Sequence, residues 1–284
     1  MNRKRRTLGL LTAFTPEIFR CEYFTRIISG IIDALRDKED YDLRFIMIKE
    51  GEAPQDAKEI LLEHNVDGLM FLTWRIHPKF VEEAHNGFQK LPVVLINDYT
   101  PEVKTSIVFC NNYLGSRKAM SHLLSRGYKR IGMIQGPDEA SLDAVERYQI
   151  YCQMLKEAGI EFDTNYFRRC DYFFEEDGYL KMLDIIHKAK PLPQAIFCFN
   201  DDLAIGAIRA LKEENIRCPA EVAVMGYDGI ERGKYVEPSL TTVRQPLEAM
   251  GREMVKILID VIEERATTPI KKEFQPDLLI RRSV

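Results

Sequence analysis

The residues best suited to chemistry in this sequence stand at the ends of apolar runs. Residues 92–96 lead into Asn97-Asp98, 107–110 into Asn111-Asn112, 196–199 into Asn200-Asp201, and 222–227 into Asp228. Amides and carboxylates hydrogen-bond hydroxyl and amino groups, so a row of them suits a hydroxylated ligand. Asn and Asp are also ordinary turn formers and helix caps, and any one of these positions is explained as well that way. The repetition of the habit at four strand ends is what points to binding.

Catalytic arrangements are missing. The sequence has no G-x-G-x-x-G after its first strand, no phosphate-binding lysine motif, no G-x-S-x-G and no H-E-x-x-H. Residues 229–234 superficially suggest a phosphate loop, but Tyr235 follows Lys234 and Asp228 stands where that loop needs glycine. The histidines at 64, 77, 85, 122 and 187 are scattered, and the carboxylates show no acid/base pairing. Cysteines 21, 110, 152, 170, 198 and 218 form no C-x-x-C pair and read as reduced thiols. No enzyme, metal or cofactor is expected.

The net charge is −4, from 40 basic and 44 acidic residues. Phosphate affinity needs clustered Lys and Arg, so a broad DNA-binding face is excluded. Arg3, Lys4, Arg5 and Arg6 do cluster, but four basic residues suit a solvated tail better than a DNA-binding element. No apolar run approaches the ~18–20 residues that span a bilayer. The short run 8–14 before Thr15-Pro16-Glu17 does not make a signal peptide. The expectation is a cytoplasmic protein without a membrane partner.

The elements that must position these residues alternate from end to end. Strand-like runs are expected at 7–14, 41–49, 66–73, 92–98 and 105–111, with helices at 22–38, 54–64 and 78–89. The rhythm restarts with helices at 114–126, 141–158, 175–188 and 203–215 and strands at 130–136, 195–201 and 222–228. A helix at 247–264 and an extended tail at 274–281 complete the chain. Repeated β-α alternation predicts an α/β protein of two lobes, each with a parallel sheet. Ligands of such sheets bind beyond the carboxyl ends of the strands, where the polar residues fall.

Three segments carry a family resemblance. AIFCFNDDLAIGAIRAL at 195–211 resembles the A-N-D-x-x-A-x-G-A-x-R-A-L segment of LacI/GalR-family transcriptional regulators. VAVMGYDGIERGKYVEPSLTTVRQP at 222–246 resembles their V-x-G-Y/F-D-D…P-x-L-T-T-V-x-Q-P stretch, and RGYKRIGMIQGP at 126–137 their G-H-x-x-I-x-x-I-x-G-P element. The resemblance implies two Rossmann-like lobes joined by three crossing segments, in the type I periplasmic binding protein-like manner. The lobes would comprise 7–112 with 246–274 and 113–245 with 275–284. Residues 1–6 would be the remnant of a linker to an absent helix-turn-helix headpiece, making the chain a truncated core rather than a naturally headless protein.

The resemblance also implies roles. Arg147 matches an arginine that clamps effector hydroxyls or a carboxylate, with a surface ion pair as the alternative, and it is expected to serve the cleft without supporting a core. Asp228 matches an acid accepting from ligand O–H or N–H groups, and Asn200 and Gln245 match amide contacts. Phe173 matches an aromatic over the ligand, with core packing as the alternative. Tyr23 and Phe24 match the family's aromatic pair, and Trp74 follows the third strand where the family lines its cleft, unless it caps the core. The effector implied is small, polar and sugar-like, and its binding would close the lobes and change the operator affinity of a full-length homodimer. Operator DNA would be reached only through the headpiece. A stand-alone or transport-linked sugar-binding protein of the same fold is the rival reading. Departures at Cys21-Glu22, Asn97-Asp98, Asn111 and Tyr172 prevent any transfer of effector identity, and inducer and co-repressor stay undistinguished.

Overall fold

The computed structural model describes residues 5–13, 16–48, 63–72, 91–97, 105–137 and 141–284. The chain forms two compact units, Met1–Cys110 with Pro246–Phe274 and Asn111–Gln245 with Gln275–Val284, and so passes from one to the other three times.

The first unit contains β1 (Arg6–Ala13), α1 (Glu22–Leu35), β2 (Tyr41–Ile48), β3 (Gly68–Phe71), β4 (Val93–Ile96) and β5 (Ser106–Cys110). Its sheet runs in the order β11-β5-β4-β3-β1-β2, where β11 is Lys271–Phe274, and every pair is parallel. Strands β3 and β4 are buried throughout, as a sheet covered on both faces requires. Phe24, Ile27, Ile28 and Ile31 recur at helical spacing and bury one face of α1. The helices expected at 54–64 and 78–89 lie outside the described residues, apart from a helical stub at 63–64.

The second unit contains α2 (Asn112–Ser125), β6 (Ile131–Gln135), α3 (Leu142–Glu157), β7 (Phe167–Arg169), α4 (Glu175–Lys188), β8 (Ala195–Cys198), α5 (Asp201–Glu213), β9 (Ala223–Asp228) and β10 (Thr241–Arg244). Helix α6 (Leu247–Ile262) belongs to the first unit, and β12 (Asp277–Leu279) closes the second sheet, ordered β12-β10-β9-β8-β6-β7. All its pairs are parallel except β12, which runs antiparallel to β10. Met133, Phe197, Met225 and Tyr227 face Met120 and Leu123 of α2 and Tyr151 and Leu155 of α3 to form its core. Burying each such side chain contributes about 1.5–3 kcal/mol.

Three differences from the expected elements stand out. Helices α2 and α5 begin two residues early, because Asn111 and Asn200 cap them: Asn111 Oδ1 accepts from Leu114 N at 2.8 Å, and Asn200 Oδ1 from Leu203 N at 2.9 Å. The tail is two strands in two different sheets, parted by Gln275-Pro276. Strands β7 and β10 are short and rich in Arg and Thr, so no apolar run announced them.

Candidate functional site

In the second unit the parallel strands bring their carboxyl ends into register. Ile134 pairs with Cys198, Phe197 with Met225 and Tyr227 with Val243. Gln135 therefore stands level with Phe199, and Phe199 with Tyr227. Side chains alternate along a strand, so these three share the face that Met133, Phe197 and Met225 turn toward α2 and α3.

Helix α3, capped by Ser141, carries Arg147 over this row. Its guanidinium carbon lies 3.6 Å from the Tyr227 ring centroid and 4.6 Å from that of Phe199. Arg147 Nη1 donates to the Phe199 carbonyl at 2.7 Å, and Nε donates to Asn112 Oδ1 at 2.9 Å. Asp143 lies 3.6 Å and Asp228 3.9 Å from the guanidinium nitrogens. Asn112 Nδ2 in turn donates to Asp143 Oδ1 at 2.7 Å and to Glu146 Oε2 at 2.9 Å. A flat, delocalised cation tolerates burial when its edge is hydrogen-bonded and its face lies on aromatic rings.

Asp228 ends β9 with φ 115°, a conformation that L residues rarely adopt, and Gly229 follows at φ 74°. A Cβ on Gly229 would stand 2.7 Å from Arg244 Cα, so this turn requires glycine. Strain of this kind is held at functional sites by surrounding structure. Gln245 Nε2 donates to Asp228 Oδ1 at 2.9 Å. Burial pushes the Asp228 carboxyl up to about 7, against the opposing pull of Arg147 and the Gln245 hydrogen bond. Burial likewise raises Asp143, opposed by Arg147. Asp201, at the start of α5, is raised well above the carboxylate range by burial and then by the charge on Asp228. Its oxygens accept from Thr242 Oγ1 at 2.5 Å and Ile230 N at 2.8 Å. A Cβ on Gly226 would stand 2.1 Å from Asp201 Oδ1, so that glycine makes room for the carboxylate.

Arg147, Asp228 and Gln245 thus come together. Arg147 is 2% exposed, so it forms no surface ion pair, and the expectation that it supports no core is corrected: it is part of one. Asn200 turns away, its Oδ1 capping α5 and its Nδ2 donating to the Phe173 carbonyl at 3.0 Å. Phe173 is buried against Phe174 with centroids 5.0 Å apart. In the first unit Tyr23 and Phe24 meet edge to face at 5.2 Å. Phe24 enters the core, and Tyr23 OH accepts from Asn97 Nδ2 at 2.8 Å. Trp74 and Asp98 lie outside the described residues. The reading of the sequence placed Asn112 at a polar strand end and missed Asp143 and Gln135. Asp143 was findable, because an acid four residues before an arginine shares its helix face, whereas no motif marked Gln135. Among the described residues no cluster of metal-ligating groups occurs, and no helix is long and apolar enough to cross a membrane.

Residues 120–284 match the periplasmic binding protein-like domain family. The HTH-type transcriptional repressor CytR of Escherichia coli K12 is 29% identical over 284 residues, covering 99% of this chain and 81% of that protein. The HTH-type transcriptional repressor PurR of Pasteurella multocida is 32% identical over 264 residues, covering 92% of this chain and 77% of PurR. The chain belongs to the LacI family of transcriptional regulators, as an effector-binding domain. A solved complex of the transcriptional regulator CelR with cellobiose matches this LacI-family domain with a TM-score of 0.87 at 29% identity, covering 99% of this chain and 86% of that one. The two-sheet α/β arrangement is the family's type I periplasmic binding protein-like fold. LacI-family relatives are regulators rather than enzymes, in keeping with the missing catalytic motifs.

Proposed function

We propose that this domain senses a sugar or sugar derivative, with Arg147, Asp228 and Gln245 forming the second unit's share of the site. The observation that carries the reading is the buried polar cluster at the carboxyl ends of β9 and β10, where parallel α/β sheets bind ligands. The likeness to a CelR–cellobiose complex supports a sugar as the effector. In the mechanism the family resemblance implies, Tyr23, Phe24 and Trp74 contribute from the first lobe, with Asn200 and Phe173 bordering the second. The effector would favour a closed arrangement of the lobes by its differential affinity. In a full-length cytoplasmic homodimer this would change operator affinity through a helix-turn-helix headpiece. The test is calorimetric titration with cellobiose, ribose, cytidine and sugar phosphates, on wild type and Asp228→Asn. Binding of a sugar, weakened roughly ten- to a hundredfold by the variant, is the expected result, since charge-assisted hydrogen bonds are the strong ones. Equal affinity in both proteins would remove Asp228 from the site, and turnover of the bound sugar would refute a purely sensory function.

A further inference from the structure

Two buried amide oxygens in the second unit have no hydrogen-bond donor among the described residues: Gln135 Oε1 and Gln245 Oε1. Gln135 is 1% exposed and Gln245 0%. The nitrogen of each amide is taken by an oxygen of a neighbouring residue, and for Gln135 that oxygen is a carbonyl, which can only accept. Gln135 Nε2 donates to the Ala144 carbonyl at 3.4 Å, and Gln245 Nε2 donates to the Asp228 carboxylate at 2.9 Å. On each side chain the amide oxygen, an acceptor, is left without a donor among the described residues. Buried polar atoms without partners are uncommon in folded proteins, and one at a ligand-binding edge is satisfied when a donor arrives.

Charge points the same way. Around Arg147 the described residues of this unit place three carboxylates, Asp143, Asp228 and Glu146, the last reached through Asn112. One guanidinium against three acids leaves a surplus of acceptors, and of negative charge once more than one of these acids is ionised. A further anion here would meet repulsion that no second cation among these groups relieves.

We propose that Gln135 is a specificity-determining residue that accepts a proton-bearing group of the effector, and that the site takes neutral or cationic, donor-rich sugars while rejecting phosphorylated ones. The inference rests on the sensory reading above and narrows its ligand class. Gln135 ends β6 level with Phe199, whose carbonyl and ring hold Arg147, so a ligand on the Arg147–Asp228 cluster has this oxygen beside it along the sheet edge.

The experiment is titration of wild type, Gln135→Met and Asp228→Asn with cellobiose, ribose, glucose, glucosamine, ribose 5-phosphate and glucose 6-phosphate. At least one neutral or cationic sugar binds, and each phosphate binds less tightly than its parent. Gln135→Met weakens the bound sugar roughly three- to tenfold, the usual worth of one neutral hydrogen bond. The melting midpoint of the ligand-free variant stays level or rises, because the substitution removes an unsatisfied buried acceptor. A purely structural glutamine gives the opposite pattern, a lower midpoint with unchanged affinity. Deoxy analogues of the bound sugar probe the same contact on wild type alone: one of them loses as much affinity as the variant does. Weakening by Asp228→Asn with no effect of Gln135→Met overturns the Gln135 assignment and leaves the sensory reading standing. A phosphate that binds more tightly than its parent sugar overturns the charge rule. Failure of every sugar to bind overturns the sensory reading, and this inference with it.

Discussion

At the end of β8, Asn200 and Asp201 turn their side chains onto Leu203 N, the Phe173 carbonyl, Ile230 N and Thr242 Oγ1. At the end of β9, Asp228 sits on a left-handed backbone with Gln245 on one oxygen and Arg147 at 3.9 Å, and the Gln245 oxygen beside it has no donor among the described residues. The two strand ends are neighbours in one sheet and both carry an aspartate. The first organises the fold, joining the start of α5 to the turn after β9 and to β10. The second keeps acceptors in reserve. Matching residue types at strand ends therefore do not distinguish the two; their hydrogen-bond partners do.

Four variants test this contrast. Arg147→Ala is expected to have the largest effect, because Arg147 serves both ends through the Phe199 carbonyl and Asp228. Removing one partner from a buried charge cluster costs about 3–5 kcal/mol, so urea unfolding should show a large loss of stability as well as lost sugar binding. A variant of wild-type stability would show that the aromatic cradle does not need its cation. Asp201→Ala is expected next, at about 2–4 kcal/mol, because it strands the Ile230 N–H and the Thr242 hydroxyl in a dry interior. The residual folded protein should bind sugar with wild-type affinity, and an affinity loss exceeding the stability loss would erase the distinction between the two ends.

Asp228 yields a pH signature. Its carboxyl is raised from the ordinary carboxylate range to about 7 in the fold, so the native state holds a proton that the unfolded chain has released. Its contribution to stability is full below about pH 4 and is lost as pH rises through about 7. Melting curves of wild type and Asp228→Asn should converge in acid, with the variant the more stable by up to a few kcal/mol at pH 8. For a sugar that donates to the ionised carboxylate the sign reverses, and affinity rises with pH through about 7. Parallel melting profiles in the two proteins would show that Asp228 does not titrate in this range. The smallest effect is expected from Asn200→Ala, which removes a helix cap worth about 1 kcal/mol and should leave sugar affinity alone.

The outline of both sheets was legible in the sequence because apolar runs and helical periodicity are local. Strands β7 and β10 were not, since three or four residues rich in Arg and Thr carry no such pattern and are strands only through their neighbours. Arg147 and Asp228 could be named from motif resemblance, whereas Gln135 is one glutamine ending an apolar strand. Its interest comes from a carbonyl on α3 that fixes its amide and from the lack of any donor for its oxygen among the described residues.

By itself the sequence determined the alternation of strands and helices, the excess of acid over base and the clustering of amides and carboxylates at strand ends, because each depends on residue type and near-neighbour spacing. Only the tertiary structure decided which of those polar groups are consumed. Capping, burial and pairing depend on contacts between residues as far apart as Asn112 and Arg147 or Asp201 and Thr242. A hydrogen bond needs its partner within about 3 Å, and no spacing along the chain specifies which distant residue the fold will bring there.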